Sequence, residues 1–304
     1  MKILVAGASG LIGGEVVRLL KERGHYVRTL SRDPGRAAKL NAMADDVRLG
    51  DATLPGTLDG VCAGIECVVS ALGAPVSPSA KGTRSFADVD LAANLALLAE
   101  AKRVGVKRYI YVGVHTEAAY AGAAYVRAHT QVEKAVSESG LEYGFVRPTG
   151  VFGSLAEMIA IARKGPLPLI GGGEAMTNPV HETDVAEAVM TAVTAPTSCE
   201  IDIGGPETMT RRQIAELAVI SLNRRPRLLR TRVWVMRVAA LLYGLVNQRM
   251  GEFLRFVILA STNSCVATAI GSRRLKPYFE QEARRHFGGR DCHGDKVVNP
   301  GTPK

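Results

Sequence analysis

Two rhythms of apolar and polar positions divide the chain. Over residues 1–150, short apolar runs at 2–6, 26–30, 47–49, 65–71, 108–112 and 142–146 have the length and composition of buried strands. Between them, 11–23, 54–61, 88–104 and 120–139 read as helices; in 88–104 the apolar positions are Val89, Leu91, Ala92, Leu95, Leu98 and Ala99. A run that is apolar throughout, such as 65–71, belongs inside a parallel sheet covered on both faces. Strand–helix alternation with short connections therefore predicts an α/β, Rossmann-type doubly wound parallel sheet. Its crossovers are right-handed, and ligands gather at the C-terminal edge of its strands.

Beyond residue 150 the rhythm changes. Residues 155–163 are helical, 167–170 form a short strand, and Gly171, Gly172 and Gly173 make a loop. Asp184 stands as a cap before a helix at 185–193, followed by a strand at 201–203 and a helix at 211–222. From 234 to 287 the pattern is mostly helical, with amphipathic pieces at 235–245 and 253–259. The expected organisation is a doubly wound core over 1–150 and a smaller, mostly helical part over 151–287. Crossover segments of that second part return to the core. The polar stretch 288–304 reads as a disordered tail.

The first run breaks through Gly7, Gly10 and Gly13 into the first helix. A strand passing through glycines into a helix presents free backbone N–H groups and the positive end of a helix dipole, a phosphate site. Gly7 suits the tight turn, Gly10 close approach of a diphosphate, and Gly13 close packing of helix on strand. After the second strand come Ser31, Arg32 and Asp33, where a dinucleotide fold meets the adenosine ribose. An acid there binds a 2′-hydroxyl, whereas an arginine accommodates a 2′-phosphate. Arg32 favours NADP over NAD; Asp33 leaves a ribose contact open, and a plain surface turn is the alternative. Asp51 is either an adenine contact or the cap of the helix at 54–61. The loop from Leu72 to Pro75 would pass beneath the cofactor.

Composition adds two constraints. With 47% hydrophobic and 22% charged residues, the chain has an ordinary globular balance. Its five cysteines are scattered without metal-ligand spacing, which suits a reducing compartment, so a cytoplasmic location is expected and a metal site is not. The formal charge of +9 is unevenly placed: residues 211–304 carry 18 Lys/Arg against 6 Asp/Glu, while 1–210 carry 20 against 23. A basic C-terminal third is either a solvated face or a surface for a membrane, a protein partner or an anionic substrate. No nucleic-acid-binding module accompanies it. The arginine-flanked stretch 230–245 is the candidate for peripheral membrane attachment.

Several segments, in order over roughly residues 1–210, resemble the atypical short-chain dehydrogenase/reductases of the NmrA-like and isoflavone-reductase-like group. They are GASGLIGG (7–14), SRDP (31–34), GD (50–51), DVDLAANLALLAEAKRVGVKRYIYVGV (88–114), SGLEYGFVRPTGVF (139–152), NPVHETDVAEAV (178–189) and IDIGGPE (201–207). RPTGVFGSLAEM (147–158) resembles the branch that holds divinyl chlorophyllide 8-vinyl reductases. The resemblance implies that Gly7, Ser9, Gly10, Leu11, Ile12 and Gly13 hold a pyrophosphate, and that Ser31 and Arg32 hold the 2′-phosphate. It further places Asp51 and Ala52 beside adenine, Ala71, Leu72 and Gly73 along the ribose, and Pro148 and Thr149 beside the nicotinamide.

The same resemblance singles out Tyr125 and His129. Relatives carry Tyr-x-x-x-Lys on this helix, with both side chains on one face. Here Tyr125 is present, His129 replaces the lysine, and Gly113 stands where relatives have serine. Tyr125 is a candidate proton donor or a packing residue. His129 is a candidate ribose contact, and His115 either a substrate-side group or a loop residue. His181 is expected to tie the C-terminal part to the core. The function expected is an NADP-dependent oxidoreductase, passing hydride between nicotinamide and a small or medium organic substrate that carries a carbonyl or a conjugated C=C bond. The alternative is an NADP-binding redox sensor or assembly factor without turnover.

Overall fold

The computed structural model describes residues 1–73 and 85–287. The expected tail over 288–304 and the end of the loop at Ala74 and Pro75 lie outside the described residues. Among the described residues, seven parallel strands form the main sheet: β1 (Lys2–Ala6), β2 (Tyr26–Ser31), β3 (Asp46–Leu49), β4 (Cys67–Ser70), β5 (Arg108–Val112), β6 (Glu142–Pro148) and, later in the chain, β9 (Cys199–Ile203). Their order across the sheet is β3-β2-β1-β4-β5-β6-β9, so the winding reverses between β1 and β4. This is the expected doubly wound fold, and the reversal marks the ligand crevice.

Alternating side chains of the strands serve two cores. Ile3, Val5, Val69, Ile110 and Val146 pack under α1 (Leu11–Glu22) and α6 (Glu182–Thr194). Leu4, Val68, Tyr109, Tyr111 and Phe145 pack under α3 (Ala92–Arg103) and α4 (Ala124–Ser137). A single π-helical turn, Ala87–Leu91, leads into α3. Helix α2 (Pro34–Leu40), absent from the hydrophobic pattern, starts at the Asp33 cap with proline at its first position. The helix expected at 54–61 is only one 3-10 turn, Pro55–Thr57. Gly56 breaks its propensity, and Gly60 takes a left-handed φ of 75°.

The remaining elements gather at one end. Helix α5 (Phe152–Lys164), α7 (Arg211–Ile220) and α10 (Leu275–Phe287) share a core of Phe152, Ile159, Ile214, Ala218, Leu275 and Phe279. Two small ribbons, β7 (Leu167–Ile170) with β11 (Leu228–Thr231) and β8 (Met176–Thr177) with β10 (Met209–Thr210), brace it. Helices α8 (Val233–Val246) and α9 (Gln248–Thr262) form a hairpin whose second arm rests on α4.

Candidate functional site

At the end of β1 the backbone turns through Gly7, whose φ of 84° lies in the left-handed region. A Cβ there would overlap the Ala71 carbonyl, so the turns after β1 and β4 touch backbone to backbone where the sheet order reverses. Gly10 N–H donates to the Gly7 carbonyl at 2.9 Å, and Gly10 then caps α1 in extended conformation. A Cβ on Gly13 would overlap that same Gly7 carbonyl. Helix α1 has no side-chain cap and no acidic residue in its first turn. The first amides of a helix have no intrahelical partner, so here they face outward with the dipole behind them. Ser9, Gly10 and Leu11 are exposed. From the other side Gly153 leans over the helix start, close enough that a Cβ on it would come within 2.7 Å of Leu11 Cδ1. This glycine-only cradle fits a dinucleotide's pyrophosphate.

At the end of β2, the Ser31 hydroxyl donates to the Asp33 carbonyl at 3.0 Å. The Asp33 carboxylate accepts from Arg36 N–H at 2.8 Å and thereby caps α2. Arg32 is exposed and has no partner among the described residues. Asp51 accepts from the amide and hydroxyl of Thr53 at 2.9 and 2.8 Å, with Ala52 buried beside it. Asp51 therefore closes a local turn and does not cap the 3-10 turn that follows, which starts from Leu54. Ala71 N–H continues the β1 ladder to Ala6 at 2.9 Å, the Leu72 carbonyl accepts from Asn94 Nδ2 at 3.3 Å, and Gly73 is exposed.

Tyr125 and His129 stand one turn apart on α4, their rings edge to face at 4.6 Å. The Tyr125 ring also packs against Phe86 at 5.2 Å and Phe256 of α9 at 4.9 Å. Burial, with the Asp90 carboxylate adding to it, raises the Tyr125 pKa, so the hydroxyl keeps its proton. His129 Nδ1 is 2.7 Å from the Tyr111 hydroxyl, and its Nε2 has no hydrogen-bond partner among the described residues. Burial pulls its pKa down to about 4, so the imidazole is neutral at pH 7. It cannot do what a lysine would do here, which is lower the tyrosine pKa with a fixed charge.

A further turn along α4, Glu133 is gripped by Arg147 through contacts of 2.8–3.0 Å. Burial raises the Glu133 pKa while Arg147 opposes the shift. A Cβ on Gly113 would stand 2.6 Å from Glu133 Oε1. The carboxylate thus fills the space that a serine at 113 would need. Arg147 also reaches Glu200 at 2.8 Å, and His115 Nδ1 lies 3.3 Å from Asp202 Oδ1. His115, His129, Glu133, Arg147 and Asp202 line a cavity of about 230 Å³.

Pro148 and Thr149 are committed to the framework. The Pro148 carbonyl accepts from His115 N–H at 2.9 Å, and the Thr149 hydroxyl donates to the Asn178 carbonyl at 2.6 Å. The NPVHETD segment ties the C-terminal elements down as expected, but through different roles. His181, rather than Asp184, is the N-cap of α6: its Nδ1 accepts from Thr183 N–H at 3.0 Å. Asp184 lies in the first turn, where it accepts from the Ser272 and Arg273 amides at 3.1 Å each. The residues that sequence reasoning left out are Phe86, Asp90, Asn94, Tyr111, Arg147, Asp202 and Phe256. They come from separate elements, and only Asp90 and Asn94, polar positions within an apolar helix pattern, carried a local signal.

A doubly wound sheet with a side-chain-free helix start at its reversal point defines a dinucleotide-binding protein. The chain belongs to the NAD(P)H-binding family, whose profile matches residues 7–196, and it fits the atypical short-chain dehydrogenase/reductases within that group. Among its relatives, photosystem II assembly factor Ycf39 of Cyanophora paradoxa is 29% identical over 53% of this chain and 49% of its own length. The chain thus spans about half the length of such Ycf39 proteins. An NAD(P)H azoreductase of Xenophilus azovorans is 30% identical over 70% of this chain and 71% of its own length. Divinyl chlorophyllide a 8-vinyl-reductase of Oryza sativa subsp. indica is 27% identical over 97% and 82%. The solved structure of Citrobacter sp. triphenylmethane reductase with NADP(H) shares the fold, with a TM-score of 0.72 over 92% of this chain and 99% of that one at 19% identity.

Proposed function

We propose that this chain is an NADP-dependent oxidoreductase acting on conjugated, largely planar organic acceptors. The end of β2 carries the cofactor part of this reading. Arg32 is exposed and unpartnered among the described residues, while the Asp33 carboxylate is occupied as the α2 cap. A 2′-phosphate there meets a guanidinium, and the acid that would otherwise bind a 2′-hydroxyl has its Oδ1 turned to the Arg36 amide of α2. Residues 1–150 then serve the cofactor and 151–287 the substrate side.

When bound, NADPH supplies a hydride from its nicotinamide ring. The chain's part is to seat the pyrophosphate on Gly7, Ser9, Gly10, Leu11, Ile12 and Gly13 and to lay the ribose along Ala71, Leu72 and Gly73. Pro148 and Thr149 stand at the nicotinamide end, and Asp51 and Ala52 at the adenine. Neutral His129, fixed by Tyr111, offers Nε2 to ribose hydroxyls. Tyr125, still protonated, gives its proton to the acceptor atom that does not receive hydride. Without a lysine it is a weak acid, which suits acceptors whose conjugation spreads the incoming charge. The Phe86 and Phe256 rings pack on Tyr125 and hold the phenol in place, and relatives named for azo and vinyl reduction support a conjugated acceptor.

Fluorescence titration with NADPH and NADH tests the cofactor: NADPH binds more tightly, and Arg32→Ala weakens it about tenfold, the size of one charge-assisted hydrogen bond, while NADH is unaffected. Equal affinity for the two would overturn the assignment. A panel of quinones, enones and azo dyes then reads turnover, which Tyr125→Phe lowers. A second reading is a non-catalytic NADP-binding assembly factor with a basic helical interaction surface. His129 in the lysine position and the filled space at Gly113 favour it, as does the similarity to an assembly factor. Tight NADPH binding with no consumption across the panel selects that reading.

A further inference from the structure

Helix α8 has an unusual surface. Of its residues Val233–Val246 only Ala240 is buried. One side closes against α9, with Gly244 facing Gly251 so tightly that a Cβ on Gly251 would come within 2.6 Å of the Gly244 Cα. On the opposite side Trp234, Val238, Leu241, Leu242, Leu245 and Val246 are all exposed, Leu245 by 79% and Val246 by 87%. At 100° per residue these six fall within an arc of about 140°, so they form one continuous apolar stripe. A stripe of that kind on a protein surface marks an interaction site.

Charge identifies the occupant. Residues 217–251 contain seven arginines, Arg224, Arg225, Arg227, Arg230, Arg232, Arg237 and Arg249, and no Asp or Glu. All but Arg249 are exposed, and they lie just before the stripe or, in the case of Arg237, at its edge. Two copies of the chain meeting through this face would bring like charges together. Segment 288–304 of the chain offers only Val297 and Val298 as adjacent apolar residues to cover it. An anionic bilayer surface answers both features, with acyl chains for the stripe and headgroups for the arginines. At 1.5 Å per residue the helix is about 21 Å long, short of the roughly 30 Å hydrocarbon core, and among the described residues no helix is long and apolar enough to cross a membrane.

We propose that α8 lies on the surface of an anionic lipid bilayer, with its apolar stripe immersed and the flanking arginines on the headgroups. Trp234, the single tryptophan of the chain, sits at the level where indole rings favour the membrane interface. The hairpin's other arm carries Phe256 to Tyr125, so the lipid-facing surface is one helix away from the candidate site.

The full chain is mixed with vesicles of phosphatidylcholine plus phosphatidylglycerol, or of phosphatidylcholine alone. On the mixed vesicles the protein co-sediments and Trp234 emission shifts to the blue. Affinity falls at least about tenfold on pure phosphatidylcholine or in high salt. Leu241→Glu with Leu245→Glu abolishes binding at unchanged circular dichroism and melting temperature. Arg230→Glu with Arg237→Glu weakens it while the stripe remains intact, which covers the case where the first variant misfolds. Wild-type protein that stays in solution with both vesicle types overturns the proposal. So does equal binding by wild type and both variants, or a vesicle-independent dimer that the leucine variant makes monomeric.

Discussion

Glu133 is held on both carboxylate oxygens by Arg147, so it has little room to give way to anything placed at residue 113. Restoring the serine of relatives by Gly113→Ser puts a Cβ 2.6 Å from Glu133 Oε1. The substitution is expected to cost about 1–3 kcal/mol, as overpacking does, and to leave turnover no higher. Urea unfolding midpoints and a turnover assay check the two halves. His129 gives a pH prediction. Its pKa is about 4 when folded against 6.5 when exposed, so below pH 6.5 the unfolded chain binds a proton that the native imidazole refuses. Stability from this group is present above pH 6.5 and is lost as pH falls toward 4, amounting to about 2 kcal/mol between pH 7.5 and 5. His129→Gln flattens that part of the urea-midpoint profile; an unchanged profile would assign the loss to other groups.

Among the elements, those defined by local chemistry were readable in sequence. Helix α1 starts at glycines and β1 to β6 are apolar runs, and the structure places them within a residue or two of expectation. Helix α2 was not readable from periodicity, because its seven residues bury only Ala37 and Leu40 and its signal is the Asp33-Pro34 cap. The error at 54–61 ran the other way: apolar residues at helical spacing lost to Pro55, Gly56 and Gly60. The segment between α5 and α6 shows what an isolated motif conceals. Asn178 is buried, donates to the Ala267 and Gly205 carbonyls at 2.8 and 3.3 Å, and accepts from Ala267 N–H at 3.0 Å. Asn178→Ala would leave these backbone groups unsatisfied, at about 2–4 kcal/mol. Hydrogen exchange at the Ala267 amide is expected to accelerate even where the sheet amides stay protected.

Ligand binding acts on the molecule as a whole. A cofactor that binds only the native state stabilises it by about 2.7 kcal/mol at one hundred times its dissociation constant. The melting temperature is therefore expected to rise with NADPH, and to rise less with NADH at equal concentration. No shift with either would mean that the cradle is not a working site. The candidate site divides along the same physical line as the fold. The glycine turn at Gly7, Gly10 and Gly13 was legible because it is local: one strand, one turn and one helix end supply it within consecutive residues. Tyr125 and His129 were legible as a pair, since residues four apart share a helix face. Their environment was not. The neutral imidazole, the protonated phenol and the filled space at Gly113 come from Tyr111, Asp90, Phe256 and Arg147, which lie on other elements. Burial and charge contact depend on which elements meet, so the sequence by itself determined the strand, the glycine turn and the helix start, and the tertiary structure alone decided the protonation of Tyr125 and His129.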